Sequence, residues 1–368
     1  MRHRLLAVFT VFLLLFAGAA PAAAATGPVQ SHSNTNQSTT ATCSFPVSVT
    51  DATGTNVTVT EKPERVVTLS PSAAQTMWEI GAKDQVVGVT QHASYLEGAS
   101  SRANVSGSGS SYIDQEKVVS LEPDLVLAPD TISNETVQKL RAANLTVYHY
   151  PPADSIDTIK QQTLTTGTLV GACDGANETV AEMESKLETV RNAVEGEDRP
   201  RVIYTFFGYT AGNNTFINKI IETAGGTNVA AEAGISGYAE INPETIVNQN
   251  PEWIIRNSQN PTVPKTAAYN STDAVKNGNV IVLDYNYLNQ PAPRVVQPIT
   301  RLAKAMHPDA FAAANQTTTN ASTTTTTGNA TTTTAAETTT SGGSAGFGVA
   351  AALAGLLAAL AMATRRFD

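Results

Sequence analysis

Short solid apolar runs alternate with longer amphipathic stretches along most of the chain. RVVTL (65–69), QVVGV (85–89), DLVLA (124–128) and LTVYHY (145–150) are brief and rich in β-branched residues, the pattern of buried strands. Helical stretches separate them. In SPSAAQTMWEIG, Ser72 is read as the N-cap, Gln75 follows three residues later and Gly81 ends the helix. A second helix opens at Asp114 and a third lies near 134–143. Strand and helix in strict alternation predict a parallel sheet.

A longer amphipathic stretch follows at 177–196. Its apolar residues Val180, Met183, Leu187, Val190 and Val194 fall every three or four positions, which predicts a helix lying along a surface. The alternation then restarts: strand RVIYTFF (201–207), helix 215–226, a helix from 243, strands EWIIR (252–256) and VIVLD (280–284), and a helix at 294–306. The expected fold is α/β: two Rossmann-like lobes at 45–170 and 199–311, joined by one long helix within 171–198.

The ends have a different character. Residues 1–25 carry Arg2 and Arg4, an apolar core and the small-residue run PAAAA, the pattern of a secretory signal, so the mature chain is expected outside the cytoplasm. A linker is expected at 26–44. Residues 312–344 are dominated by Thr, Asn, Ala and Gly and cannot bury enough apolar surface to offset ordering, so an extended stalk is expected. The stalk contributes to eleven Asn-x-Ser/Thr sequons, among them Asn56, Asn134, Asn213, Asn270 and Asn320. Within 345–368, an uncharged run at 346–363 precedes Arg365 and Arg366, long enough to cross a bilayer with its basic end in the cytoplasm.

Charge and cysteine content narrow the function. The chain has 23 basic and 32 acidic residues, which argues against a nucleic-acid partner. Its two cysteines, Cys43 and Cys173, form an even pair in the exported part, and a single disulfide is the simplest use of them. Lipidation of Cys43 is the alternative, but the apolar motif that should precede it is missing. A hydrolase would need a nucleophile elbow, and GSGSS (107–111) is not one. The histidines of the mature chain, His32, His92, His149 and His307, are scattered in sequence, unlike a clustered metal site. An adhesive surface glycoprotein would share the stalk and the sequons.

One motif occurs twice. EKVVSLEPDLVL (116–127) and ETIVNQNPEWII (244–255) share an acid, a β-branched pair, a polar stretch, Pro, a second acid and an apolar run. Asp114 and Asn242 are placed to cap the two helices, with Pro243 at the first helical position of the second. Glu116 and Glu244 then occupy matching places in the first turn, where an acid interacts favourably with the helix dipole and a gene duplication would copy it.

The segments RVVTLSPSAAQTMWEIGAKDQVVGVT, EKVVSLEPDLVLAPD, AGGTNVAAEAGISGYAEINPETIVNQNPEWII and APRVVQPITRLAKAMHP resemble, in order, those of the cobalamin and ferric-siderophore substrate-binding proteins of ABC importers. The resemblance implies two lobes bridged by a rigid helix, with the ligand in the cleft between them. It also implies a permease with its cytoplasmic ATPase as partner, with Glu116 and Glu244 docking on permease arginines. The C-terminal arrangement resembles the PGF-CTERM sorting signal of archaeal surface proteins, with Ala345-Gly346-Phe347 where that signal has Pro-Gly-Phe.

In such a cleft the expected ligand-binding residues are Ser70, His92, Tyr95, Tyr112, Tyr209, Tyr238, Asn286 and Tyr287. Aromatics near these points pack against the corrin ring in cobalamin binders, and Tyr238 stands where a Trp is common. Each tyrosine also fits a plain loop role, with an apolar body and a wet hydroxyl, and His92 fits a solvated loop histidine. Few basic residues lie near these loops, and Arg294 is read as the start of a helix. A neutral or zwitterionic chelate such as a corrinoid therefore fits better than an anionic siderophore, with a neutral ferric hydroxamate as the alternative. A monomer without catalytic residues or a resident metal is expected.

Overall fold

The structure, a computed structural model, describes residues 43–108 and 113–313. The expected signal, most of the linker, most of the stalk, the C-terminal apolar segment and Tyr112 lie outside the described residues.

The described chain opens with a hairpin, β1 (Val47–Thr50) paired antiparallel with β2 (Asn56–Val59). Alternating valines place Val57 and Val59 in the core while polar residues face out. Asp51 closes the turn: its carboxylate accepts from the backbone N–H of Thr53 at 2.9 Å and of Thr55 at 3.1 Å, and it is ion-paired with Arg141. Burial pushes the Asp51 carboxyl upward, but hydrogen bonds from Thr53, Arg141 and His149 outweigh it and leave the group below its ordinary range.

The first lobe follows as β3 (Val66–Thr68), α1 (Pro71–Glu79), β4 (Val86–Val89), β5 (Ala103–Asn104), α2 (Gln115–Ser120), β6 (Leu125–Ala128), α3 (Asn134–Ala142) and β7 (Val147–His149). Its strands form one parallel sheet in the order β5-β4-β3-β6-β7. Both faces are covered. Val66, Leu125 and Leu127 pack on one side with α1 residues Ala74 and Met77, while Val67, Val126 and Ala128 pack on the other with Val118, Val137 and Leu140.

Two helices leave this lobe. The first, α4 (Ile156–Val170), has no counterpart in the sequence reading, because its buried side is rich in threonine. Thr163, Thr166 and Thr168 return their hydroxyls to the carbonyls four residues earlier, which removes the polarity that masked the helix. The second, α5 (Cys173–Val194), is the expected long helix, begun four residues earlier than its apolar stripe suggested. It buries Ala176, Met183, Leu187 and Val190. Small residues let it approach its neighbours: a Cβ at Gly175 would stand 2.2 Å from the Ile80 carbonyl oxygen, and one at Gly167 of α4 would stand 2.4 Å from the Ala176 Cβ. A disulfide joins Cys173, the first residue of α5, to Cys43.

The second lobe comprises β8 (Arg201–Phe206), β9 (Tyr209–Ala211), α6 (Phe216–Thr223), β10 (Thr227–Asn228), α7 (Val229–Glu232), β11 (Tyr238–Glu240), α8 (Pro243–Gln249), β12 (Trp253–Asn257), α9 (Ala267–Asn270), α10 (Asp273–Asn277), β13 (Val280–Leu283), α11 (Tyr285–Leu288) and α12 (Val296–Met306). Its sheet runs β11-β9-β8-β12-β13, with β10 on the β9 side of β8. β8, β10, β12 and β13 are parallel, whereas β9 runs the other way and pairs antiparallel with both β8 and β11. The expected strand 201–207 is therefore corrected: the chain turns back after Phe206, and Phe207-Gly208 forms a two-residue hairpin loop. The final helix α12 returns to pack on α5 and α6.

Candidate functional site

Each sheet contains a place where the strand order reverses. In the first lobe the chain moves outward from β3 to β4 and β5, then crosses back to β6, so the reversal falls between β3 and β6. In the second it falls between β8 and β12. Loops leave such a point in opposite directions and open a crevice at the C-terminal ends of the strands. Ser70 follows β3, His92 and Tyr95 follow β4, and Asn286 and Tyr287 follow β13, so these residues share the crevice edge of their lobes.

The hairpin at the second reversal point carries the largest exposed apolar group. Phe207 and Gly208 have φ values of 45° and 87°, as a tight two-residue hairpin turn demands. A phenylalanine in that region is strained by roughly 1–3 kcal/mol. It is held by the other side of the reversal: its N–H donates to Asn260 Oδ1 at 3.0 Å, and the buried Arg256 clamps Asn260 through its carbonyl at 2.9 Å and its side-chain oxygen. Phe207 is 65% exposed, Tyr238 55% and Tyr209 40%. Phe206 links the last two, edge-on to Tyr238 and tilted to Tyr209 with centroids 6.0 Å away in each case. The Tyr209 hydroxyl donates to Glu240 Oε1, directly across the strand pair, at 3.3 Å.

The two lobes meet directly at a polar seam beside this edge. Gln75, fully buried in α1, donates through Nε2 to the Tyr95 hydroxyl at 2.8 Å and accepts from the Arg294 backbone N–H at 2.9 Å. Tyr95 stands edge-on to Tyr287, centroids 6.3 Å apart. The Arg294 guanidinium lies 5.4 Å from the Tyr287 ring centroid and pairs with Glu79 of α1 at 2.7 Å. Burial works against the charge on Arg294, but Glu79 and Tyr287 outweigh it and hold its pKa above the ordinary value. Burial likewise pushes the Tyr95 hydroxyl up to about 12, so it stays a neutral hydrogen-bonding group.

The other expected residues are placed as follows. Ser70 is buried, with its hydroxyl 2.7 Å from that of Ser72. It also replaces Ser72 as the N-cap of α1, because the fixed φ of Pro71 suits the first helical position. His92 is exposed in a 3-10 turn, with Nε2 3.4 Å from the Gln91 amide. Asn286 sits in the first turn of α11, its N–H bonded to Asp284 Oδ1 at 2.7 Å. Asp114 and Asn242 cap α2 and α8 through their side chains. Glu116 and Glu244 are exposed, and neither side chain has an ion pair or hydrogen bond among the described residues.

Sequence reasoning missed Phe207, Gln75 and the seam role of Arg294. An apolar run ending in Phe-Gly and followed by Tyr-Thr is a faint hairpin signal, hidden because Phe occupies a place where Asn is usual. The expectation of a helix start at Arg294 was close, since Pro293–Val295 forms a 3-10 turn leading into α12. Its pairing with Glu79 spans 215 residues and leaves no local trace.

Two doubly wound lobes, their strand ends meeting at a seam beside an open aromatic rim, define a two-lobed ligand-binding protein. The chain belongs to the periplasmic binding protein family, whose model matches residues 66–287. It is 44% identical over 314 residues to a protein of Halobacterium salinarum named Cobalamin-binding protein, covering 82% of this chain and 84% of that one. It is 28% identical over 279 residues to the uncharacterized ABC transporter substrate-binding lipoprotein YvrC of Bacillus subtilis, covering 73% of this chain and 87% of that one. Among solved structures, the periplasmic heme-binding protein RhuT of Roseiflexus in apo form superposes with a TM-score of 0.59 at 25% identity, covering 67% of this chain and 99% of that one.

Proposed function

We propose that this protein captures cobalamin or a related corrinoid outside the cell and delivers it to an ABC permease. The observation that carries the proposal is the aromatic rim. Phe207, Tyr209 and Tyr238 leave apolar surface open at the crevice edge of the second lobe, which suits a broad, mostly uncharged ring system. The relative named Cobalamin-binding protein supports the same ligand. Of the basic side chains at that edge, Arg256 is buried and Arg294 is matched by Glu79, which favours a ligand of little net negative charge.

In this reading Tyr95 and Tyr287 line the seam end of the cleft and Ser70, His92 and Asn286 border it, with Tyr112, outside the described residues, kept as a candidate from the sequence. Glu116 and Glu244 dock on the permease: the connection order puts the first turn of α2 and of α8 at the crevice edge of each sheet, so matching carboxylates face a partner with two-fold symmetry. The leader, the stalk and the apolar C-terminal run support a protein held at the outer face of the membrane, with the Ala345-Gly346-Phe347 segment as a sorting-signal equivalent.

Titration of the purified protein with cyanocobalamin, dicyanocobinamide and ferrichrome, followed by calorimetry and visible absorbance, tests the ligand. Saturable one-to-one binding of a corrinoid is expected. Binding of ferrichrome alone would transfer the site to iron chelates, and binding of none would remove the importer reading.

A further inference from the structure

Five large hydrophobic side chains stand exposed among the described residues: the three rim aromatics, Val119 at 38% and Val247 at 48%. The two valines occupy the same place in the repeated motif, three residues after Glu116 and Glu244. α2 and α8 are so short that each buries a single core residue, Val118 in one and Ile246 in the other. The next residue in each helix is an exposed valine, while its neighbours Ser120 and Asn248 are polar. A solvated helix face gains nothing from a β-branched apolar residue, which is a poorer helix former than the polar straight-chain residues it displaces. Residues three apart are neighbours on a helix surface, so each valine lies beside its bare carboxylate.

We infer that Val119 and Val247 are the apolar halves of two composite docking knobs, each a carboxylate beside a valine, that seat in equivalent pockets on the two halves of the permease. This rests on the importer reading above. The occupant is a two-fold symmetric membrane protein presenting, on each half, a basic side chain next to an apolar depression. Two copies of one knob on two lobes fit such a partner, and the absence of any cationic or hydrogen-bond-donor partner for the Glu116 and Glu244 carboxylates among the described residues leaves both charges free for it. The carboxylates set approach and orientation, while the valines slow release once water is expelled.

The test is uptake of radiolabelled cyanocobalamin by cells lacking the gene and complemented with the full chain. V119N/V247N is expected to lower uptake by about tenfold, on the order of what burying two half-exposed valines supplies. Corrinoid affinity and thermal unfolding of the purified variant should be unchanged, since both sites are on the surface. V119L/V247L, which keeps the apolar contact, should restore uptake to within about twofold. Normal uptake by V119N/V247N, alongside loss in E116R/E244R, would overturn the valine inference and leave the importer reading standing. A wild-type chain that binds neither cyanocobalamin, dicyanocobinamide nor ferrichrome would overturn the importer reading and this inference with it.

Discussion

The first lobe ends its crevice edge with Tyr95, half-buried, its hydroxyl bonded to Gln75 and its ring against Tyr287. The second lobe adds two antiparallel strands and a strained hairpin, and holds three aromatic rings in the open. Elsewhere the lobes are alike: parallel strands around a reversal point, and a short capped helix with an acid in its first turn. The difference assigns work. A ring already satisfied by the protein can brace the seam but gains little from a ligand, whereas an exposed ring gains its full burial energy on contact. The second lobe should therefore supply more of the binding energy than the first.

The strongest attempt to break this comparison is Phe207→Ala with Tyr238→Ala. Corrinoid affinity measured by calorimetry should fall about a hundredfold, equivalent to about 2.7 kcal/mol. Tyr95→Phe should leave it within about twofold, and equal losses in the two variants would erase the division of labour. Next in size is the seam. Arg294→Ala removes one partner of a partly buried pair and should cost about 1–2 kcal/mol in urea unfolding. A double-mutant cycle with Glu79→Gln should return most of that as coupling.

Phe207→Asn sharpens the contrast in the other direction. Asparagine tolerates the left-handed turn, so this variant should be more stable by about 0.5–1 kcal/mol while binding more weakly. Unchanged stability would mean that Phe207 is not strained. The smallest effect concerns pH. The Tyr95 hydroxyl is raised to about 12 in the folded protein, whereas an unfolded tyrosine ionises near 10.0. The neutral form is the one folding favours, so its stabilising contribution is complete below pH 10 and is lost as pH rises from there towards 12. Tyr95→Phe should flatten that part of the alkaline unfolding profile and delete a late step from the tyrosinate absorbance titration.

Much of the fold was legible because its signals are local. Asp114 and Asn242 were readable as caps three and two residues before the N–H groups they accept from, and Pro243 marked a first helical position. The apolar stripe of α5 needed only its own spacing. What escaped notice depended on distant or compensated chemistry. The Ser70–Ser72 exchange turned on the ring of Pro71. The helix α4 hid its threonine hydroxyls in its own carbonyls, and the hairpin β1–β2 was overlooked despite its alternating valines. The tyrosines could be singled out by residue type alone, whereas Gln75 and Arg294 meet only when residues 219 positions apart are brought together.

The antiparallel addition in the second lobe has one more effect. It makes β11 the outermost strand of its sheet, and an outermost strand is where a second chain can add itself and begin aggregation. Here that strand is three residues long, entered from Gly237 in a left-handed conformation and followed within a few residues by Pro243. A foreign strand would find only one or two backbone pairs before the ladder ended. The same device that leaves Tyr238 exposed thus offers too short a template for self-association.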